Sequence, residues 1–139
     1  MGFYGINFLG VLVAAIAAML VGMIWYSPNV FGNKWMALAG ISKKKMKESK
    51  EKGMAKQMVT GFVSQLVMAC VLSIFLAYSG AASIPAALVV VFLLWLGMIA
   101  TTQIGSVLWE GKSFELFFLN TLHSLVALAV MAIALQLMG

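Results

Sequence analysis

Four long apolar stretches set the pattern of this chain: about residues 6–26, 57–78, 85–109 and 114–138, the first three free of charged residues and the fourth with Glu115 alone, at its start. A helix needs about 20 apolar residues to cross the hydrocarbon core of a bilayer, and each stretch meets that length. Lipid offers a bare backbone no hydrogen bonds, so such runs must be helices. They lack the alternating polarity that barrel strands require. "SGAAS" separates the second stretch from the third and "EGKS" the third from the fourth. Intervals this short predict that the helices they join are antiparallel neighbours. The prediction is one integral membrane domain, residues 1–139, of all-α class with four transmembrane helices.

The remaining interval, residues 27–56, is long enough to hold structure of its own. It is entered through "WYSPNVFGNKW", Trp25 to Trp35, which combines Trp25, Tyr26, Ser27, Pro28, Phe31, Gly32 and Trp35 in one boundary motif. Ser27 precedes Pro28 and is biased away from helical geometry, so the first span should stop there. Pro28 is suited to open a new helix at its first position, with Ser27 as the N-cap. Phe31, Trp35 and Leu38 then share one apolar face, and Gly40 can end the piece. Ser42 can cap a second, cationic helix through "KKKMKESKEK", in which Glu48 and Lys52 form an i, i+4 pair. The expected picture is an interfacial amphipathic helix followed by a lysine-rich helix on the membrane surface, with Trp25 and Tyr26 anchoring at the headgroups.

Charge turns this pattern into an orientation. Of 139 residues, 63% are hydrophobic and 9% charged, with nine Lys, four Glu, and neither Arg nor Asp. Eight of the nine lysines fall between Lys34 and Lys56, and the ninth is Lys112 in the third interval. In a four-span chain both intervals face the same side, and the positive-inside rule makes that side the cytoplasm. The expectation is therefore N-out and C-out. The net charge of +5 is local. It suits anionic headgroups along Lys34–Lys56 and argues against nucleic acid, whose readers favour arginine. The lone cysteine, Cys70, cannot form an internal disulfide. The N-terminal residues lack a basic n-region and read as a retained helix start, and Gly2 lacks the context for myristoylation.

"GMIWYSPNVFGNKWMALAG", then "GMAK", "WLGMIATT" and "EGKSFELFFLNTLHSLVALAVMAIAL" occur here in that order. Together they resemble the DUF1761 family of small bacterial membrane proteins, over nearly the whole chain. The Trp-Tyr-Ser-Pro and Phe-Gly-x-x-Trp elements are the most specific part. The resemblance implies four spans and a bacterial origin, and it implies no activity.

Three groups of residues could carry function. Gly10, Ala14, Ala18 and Gly22 recur every four residues in the first span, a small-residue stripe for close helix packing, within one subunit or between copies. Ser64, Gln65, Thr102, Gln103, Ser106, Asn120, His123 and Ser124 are polar positions in the cytoplasmic half of the spans. They are expected either to hydrogen-bond between helices or to line a cytoplasm-facing pocket. The prediction is that Gln65, Gln103, Asn120 and His123 turn inward. His123 is either a proton-handling group or a neutral histidine bonded to Asn120, Gln65 or Gln103. Neither a metal site nor a cofactor motif is present, and Ser124, adjacent to His123, does not share its helix face. The reading from sequence is a structural or self-assembling membrane component, a homo-oligomer without catalytic activity. Its rival is a small oligomeric channel or transporter that uses the polar cluster as its path.

Overall fold

The computed structural model describes residues 6–139 and is built of helices. The expectations for Gly2 and the first five residues lie outside the described part. Four helices are long and apolar enough to cross a membrane: α1 (Phe8–Trp25), α4 (Ala55–Ser79), α5 (Ile84–Leu108) and α6 (Phe114–Met138). Between α1 and α4 lie two shorter helices, α2 (Gly32–Ala39) and α3 (Lys43–Lys52).

α6 is the centre of the bundle, and α1 packs along it in antiparallel fashion. The small-residue stripe makes this possible. Gly10, Ala14 and Ala18 are buried, and a Cβ on Gly10 would come within 3.2 Å of Met138. At the other end, a Cβ on Gly22 would lie 3.3 Å from the His123 ring. Ala14 and Ala18 thus share one buried core with Met131 and Ala132. Two small faces let the backbones approach, which is how membrane helices gain van der Waals contact when lipid is as apolar as leucine. The stripe is therefore used for packing within one chain, with Gly10, Ala14 and Ala18 buried and Gly22 partly buried.

α4 lies on the other side of α1, burying Ala69, Leu72 and Leu76, while α5 packs on α6 through Ala87 and Val91. α4 and α5 touch little beyond their own turn, contrary to the neighbour expected from a short connection. Each is held by a different partner. α4 is recruited by α1, and α5 is pinned to α6 by the Trp95 indole, which donates to the Thr121 carbonyl at 2.6 Å.

Capping follows local chemistry. Asn7 accepts from the Gly10 amide and donates to the Met138 carbonyl at 2.7 Å, so one side chain starts α1 and ties it to the end of α6. Ser42, Ser83 and Ser113 cap α3, α5 and α6 through their hydroxyl oxygens. Gly40 closes α2 in the left-handed conformation (φ 73°). The Glu48–Lys52 pair does not close to an ion pair. Both side chains are exposed on α3, where an i, i+4 pair is worth only about 0.3–0.5 kcal/mol.

α5 departs from a plain helix. It is α-helical over Ile84–Leu94, widens by a π-type turn over Trp95–Ala100, and finishes in two short pieces, Thr101–Gln103 and Gly105–Leu108. The extra residue shifts the inward register. After Ala87, Val91 and Trp95 the next inner position in an α-helix would be Met98, yet Met98 is 69% exposed and Ile99 packs on the core instead.

Candidate functional site

The residues of the Trp25–Trp35 motif and the polar residues of α6 converge at one end of the α1–α6 pair. The chain leaves α1 at Trp25 and reverses within six residues. The Ser27 hydroxyl donates back to the Ile24 carbonyl at 2.7 Å, so it does not cap a following helix. Its carbonyl instead accepts from the Val30 and Gly32 amides at 3.1 and 2.8 Å, and the Phe31 amide donates to the Trp25 carbonyl at 3.0 Å. α2 accordingly begins at Gly32, not at Pro28, with Phe31 at the cap position and no side-chain cap bond. This corrects the Ser27–Pro28 helix start expected from sequence. With its oxygen turned toward the preceding helix, Ser27 closes α1 and cannot open α2.

Gly32 explains the Phe-Gly step. A Cβ there would collide with the Tyr26 carbonyl oxygen and lie 2.8 Å from the carbonyl carbon and oxygen of Ser27. Only glycine lets the start of α2 rest directly on the Tyr26–Ser27 backbone. The reversal in turn folds the aromatic side chains onto one another. Phe31 stacks on Trp25 (centroids 4.8 Å) and Trp35 packs edge-on against Tyr26 (5.5 Å). The Tyr26 hydroxyl donates to Asn120 Oδ1 at 2.7 Å, and its ring lies 5.0 Å from that of His123. Trp25 is 6.0 Å from the same imidazole. Lys34 reaches Glu115 at 3.5 Å along the exposed rim. Tyr26 and Trp25 are thus partly buried lids on α6, not free headgroup anchors.

The eight polar positions predicted to form a pocket separate into three fates. Ser64, Thr102 and Ser124 donate to carbonyls of their own helices, those of Gly61, Met98 and Asn120. A hydroxyl satisfied in this way needs no neighbour and marks no path. Gln65, Asn120 and His123 turn inward as expected, whereas Gln103 is exposed. Asn120 pairs with Tyr26 and not with His123. Among the described residues, Gln65 Oε1, His123 Nε2 and Trp25 Nε1 are buried with no hydrogen-bond partner. None of the partners proposed for His123 reaches that nitrogen, which faces Gly22 of α1.

A cleft of about 460 Å³ opens between the ends of α5 and α6. It gathers Thr102, Gln103, Ser106 and Asn120 from the predicted set and adds Trp109, from the end of the third apolar stretch, and Glu110 and Lys112, from the "EGKS" interval. The π-type turn makes it. By advancing the register to Ile99, it carries Gln103 and Ser106, four and seven residues on, to the side that meets α6. Two further polar residues escaped sequence reasoning: Asn7, and Gln136, which donates to the Ala81 carbonyl at 3.1 Å and stitches α6 to the α4–α5 turn. Each lies at a helix end inside an otherwise apolar run, where a single polar residue gives no periodic signal.

No group of three or more metal-ligating side chains occurs among the described residues. No curated protein and no solved structure matches this chain. A family model described as "Protein of unknown function (DUF1761)" matches residues 9–136, nearly the full length. With the motif, the four apolar helices and this match in agreement, the chain belongs to the DUF1761 family.

Proposed function

We propose that this protein is a small non-catalytic component of a bacterial cytoplasmic membrane, N-out and C-out, whose working surface is the cytoplasmic end of the bundle. One observation carries the reading: most hydroxyls inside the spans are engaged within the protein, and the polar atoms left without a partner, Gln65 Oε1, His123 Nε2 and Trp25 Nε1, are buried. Hydroxyls bond to their own helices, Tyr26 holds Asn120, and Trp95 holds a backbone carbonyl. The α1–α6 contact is filled by alanine and methionine. Such a bundle offers no continuous polar route through a single chain, which favours an accessory role over transport. At its cytoplasmic end α3 presents six exposed lysines against two glutamates, a net +4 (6 − 2). Near an anionic leaflet each lysine contributes about 1 kcal/mol of attraction, so this helix is suited to rest on acidic headgroups.

The purified protein in anionic vesicles should pass no more H⁺ or K⁺ than empty vesicles do. In the same vesicles, with Cys70 replaced by Ser, Lys45→Cys and Ser79→Cys should label from opposite sides. Flux above background, or labelling from one side, would overturn the reading. A second reading, a pore between copies, rests on the exposed polar edge of α4, where Lys56, Gln57, Thr60, Gly61 and Ser64 line an open groove. It requires flux that Ser64→Leu abolishes.

A further inference from the structure

We infer that the cleft between α5 and α6 is a binding site for a phosphoammonium zwitterion, the headgroup chemistry of phosphatidylethanolamine. Hydrogen-bond accounting singles out this place. Thr101, Thr102, Thr121 and Ser124 all bond to carbonyls of their own helices. Within the cleft, Ser106 Oγ and the Gln103 carboxamide make no hydrogen bond among the described residues, and Asn120 uses only its Oδ1, for Tyr26. The Asn120 amide group therefore keeps both its N–H donors. The structure holds this side chain in place through a tyrosine from another helix and leaves its donors directed elsewhere.

Charge selects the ligand. The cleft carries one cation, Lys112, and one anion, Glu110. The lining supplies N–H and O–H donors for a phosphate from Lys112 Nζ, Ser106 Oγ and the two carboxamides, and charge-assisted bonds are the strong ones. For a primary ammonium the same lining supplies the Glu110 carboxylate as acceptor and the ring of Trp109, which is 86% exposed. An anionic headgroup would leave Glu110 opposed to it, and a simple cation would leave Lys112 opposed. The lining also includes the apolar Leu116 and Phe117, and Phe117 packs edge-on against the exposed Phe118 (centroids 5.4 Å), an apolar surface of the kind that acyl chains require. Its volume of about 460 Å³ lies within the range of ligand pockets, about 300–1,000 Å³. The orientation proposed above decides only which leaflet supplies the lipid; the chemistry of recognition is independent of it.

The test is lipid retention by native mass spectrometry of the full chain, taken from nanodiscs of equal parts phosphatidylethanolamine, phosphatidylcholine and phosphatidylglycerol. One phosphatidylethanolamine should be retained at least tenfold over either other lipid. K112Q and E110Q, both at an exposed turn where folding does not depend on them, should each abolish that preference, while K45Q leaves it unchanged. Soluble phosphoethanolamine at millimolar concentration should quench or shift Trp109 emission in detergent if the headgroup suffices. A response only to the phospholipid assigns the site to the membrane-borne source, and either response supports zwitterion recognition. Equal retention of the three lipids, or a preference untouched by both K112Q and E110Q, overturns it.

Discussion

Gly32→Ala is the smallest change that tests how the reversal between α1 and α2 is built. The added methyl has no room, because the obstructing atoms are the Tyr26 carbonyl oxygen and the Ser27 carbonyl group, which are backbone and cannot rotate away. Overpacking of a filled site costs about 1–3 kcal/mol. Moving Gly32 off Ser27 also breaks the 2.8 Å bond between the residue 32 amide and the Ser27 carbonyl, a further loss of about 1 kcal/mol. The sum, about 2–4 kcal/mol, raises the open population of the reversal by roughly 30- to 1,000-fold, at tenfold per 1.4 kcal/mol. Hydrogen exchange in detergent reads this locally, since the Val30 and Phe31 amides are protected only while the turn is closed. Gly61→Ala is the control. Its Cβ would meet nothing within 4 Å, and a helical alanine is favoured over glycine by roughly 0.5–1 kcal/mol. Exchange at Val30 and Phe31 within threefold of wild type, with G32A and G61A equally stable, would refute the packing of α2 on the Tyr26–Ser27 backbone.

Other substitutions probe other joints. Ala18→Leu should lower thermal stability by about 1–3 kcal/mol through overpacking of the α1–α6 contact; unchanged stability with an altered oligomeric state would return the stripe to a role between copies. Trp95→Phe keeps the ring but removes the bond to Thr121, and should cost about 0.6 kcal/mol, the average for such bonds between membrane helices. Identical denaturation midpoints would show that α5 is not pinned there. His123→Ala should still insert with full helix content by circular dichroism, losing about 0.5–1.5 kcal/mol of ring contact with Tyr26 and Trp25. Failure to insert would make the imidazole a condition of folding.

The spans were legible because length and hydropathy alone decide what a bilayer accepts, and the Gly10–Ala14–Ala18–Gly22 stripe was legible because period four is a helix face. Gly40 and Ser42 announced their roles through capping chemistry that needs only near neighbours. Ser27 misled for the same reason. A serine before proline is a good cap, but its hydroxyl had a second acceptor one turn back, at Ile24, and geometry chose that one. The Tyr26–Asn120 bond joins residues 94 apart in sequence and leaves no local trace. The π-type turn in α5 was equally hidden, since "WLGMIATT" is compatible with an unbroken helix. Without that turn, Gln103 and Ser106 would not reach α6, so the cleft could not be drawn from sequence even though four of its lining residues were named.

That the Trp25–Trp35 segment is docked on α6, and does not lie free among the headgroups, is tested most directly by a double-mutant cycle between Tyr26→Phe and Asn120→Ala, read by reversible unfolding in mixed micelles. The 2.7 Å bond from the Tyr26 hydroxyl to Asn120 Oδ1 predicts a coupling energy of about 0.6–1.7 kcal/mol, the range from average to strongest for such bonds in membranes. Additive effects, with a coupling indistinguishable from zero, would contradict the docking.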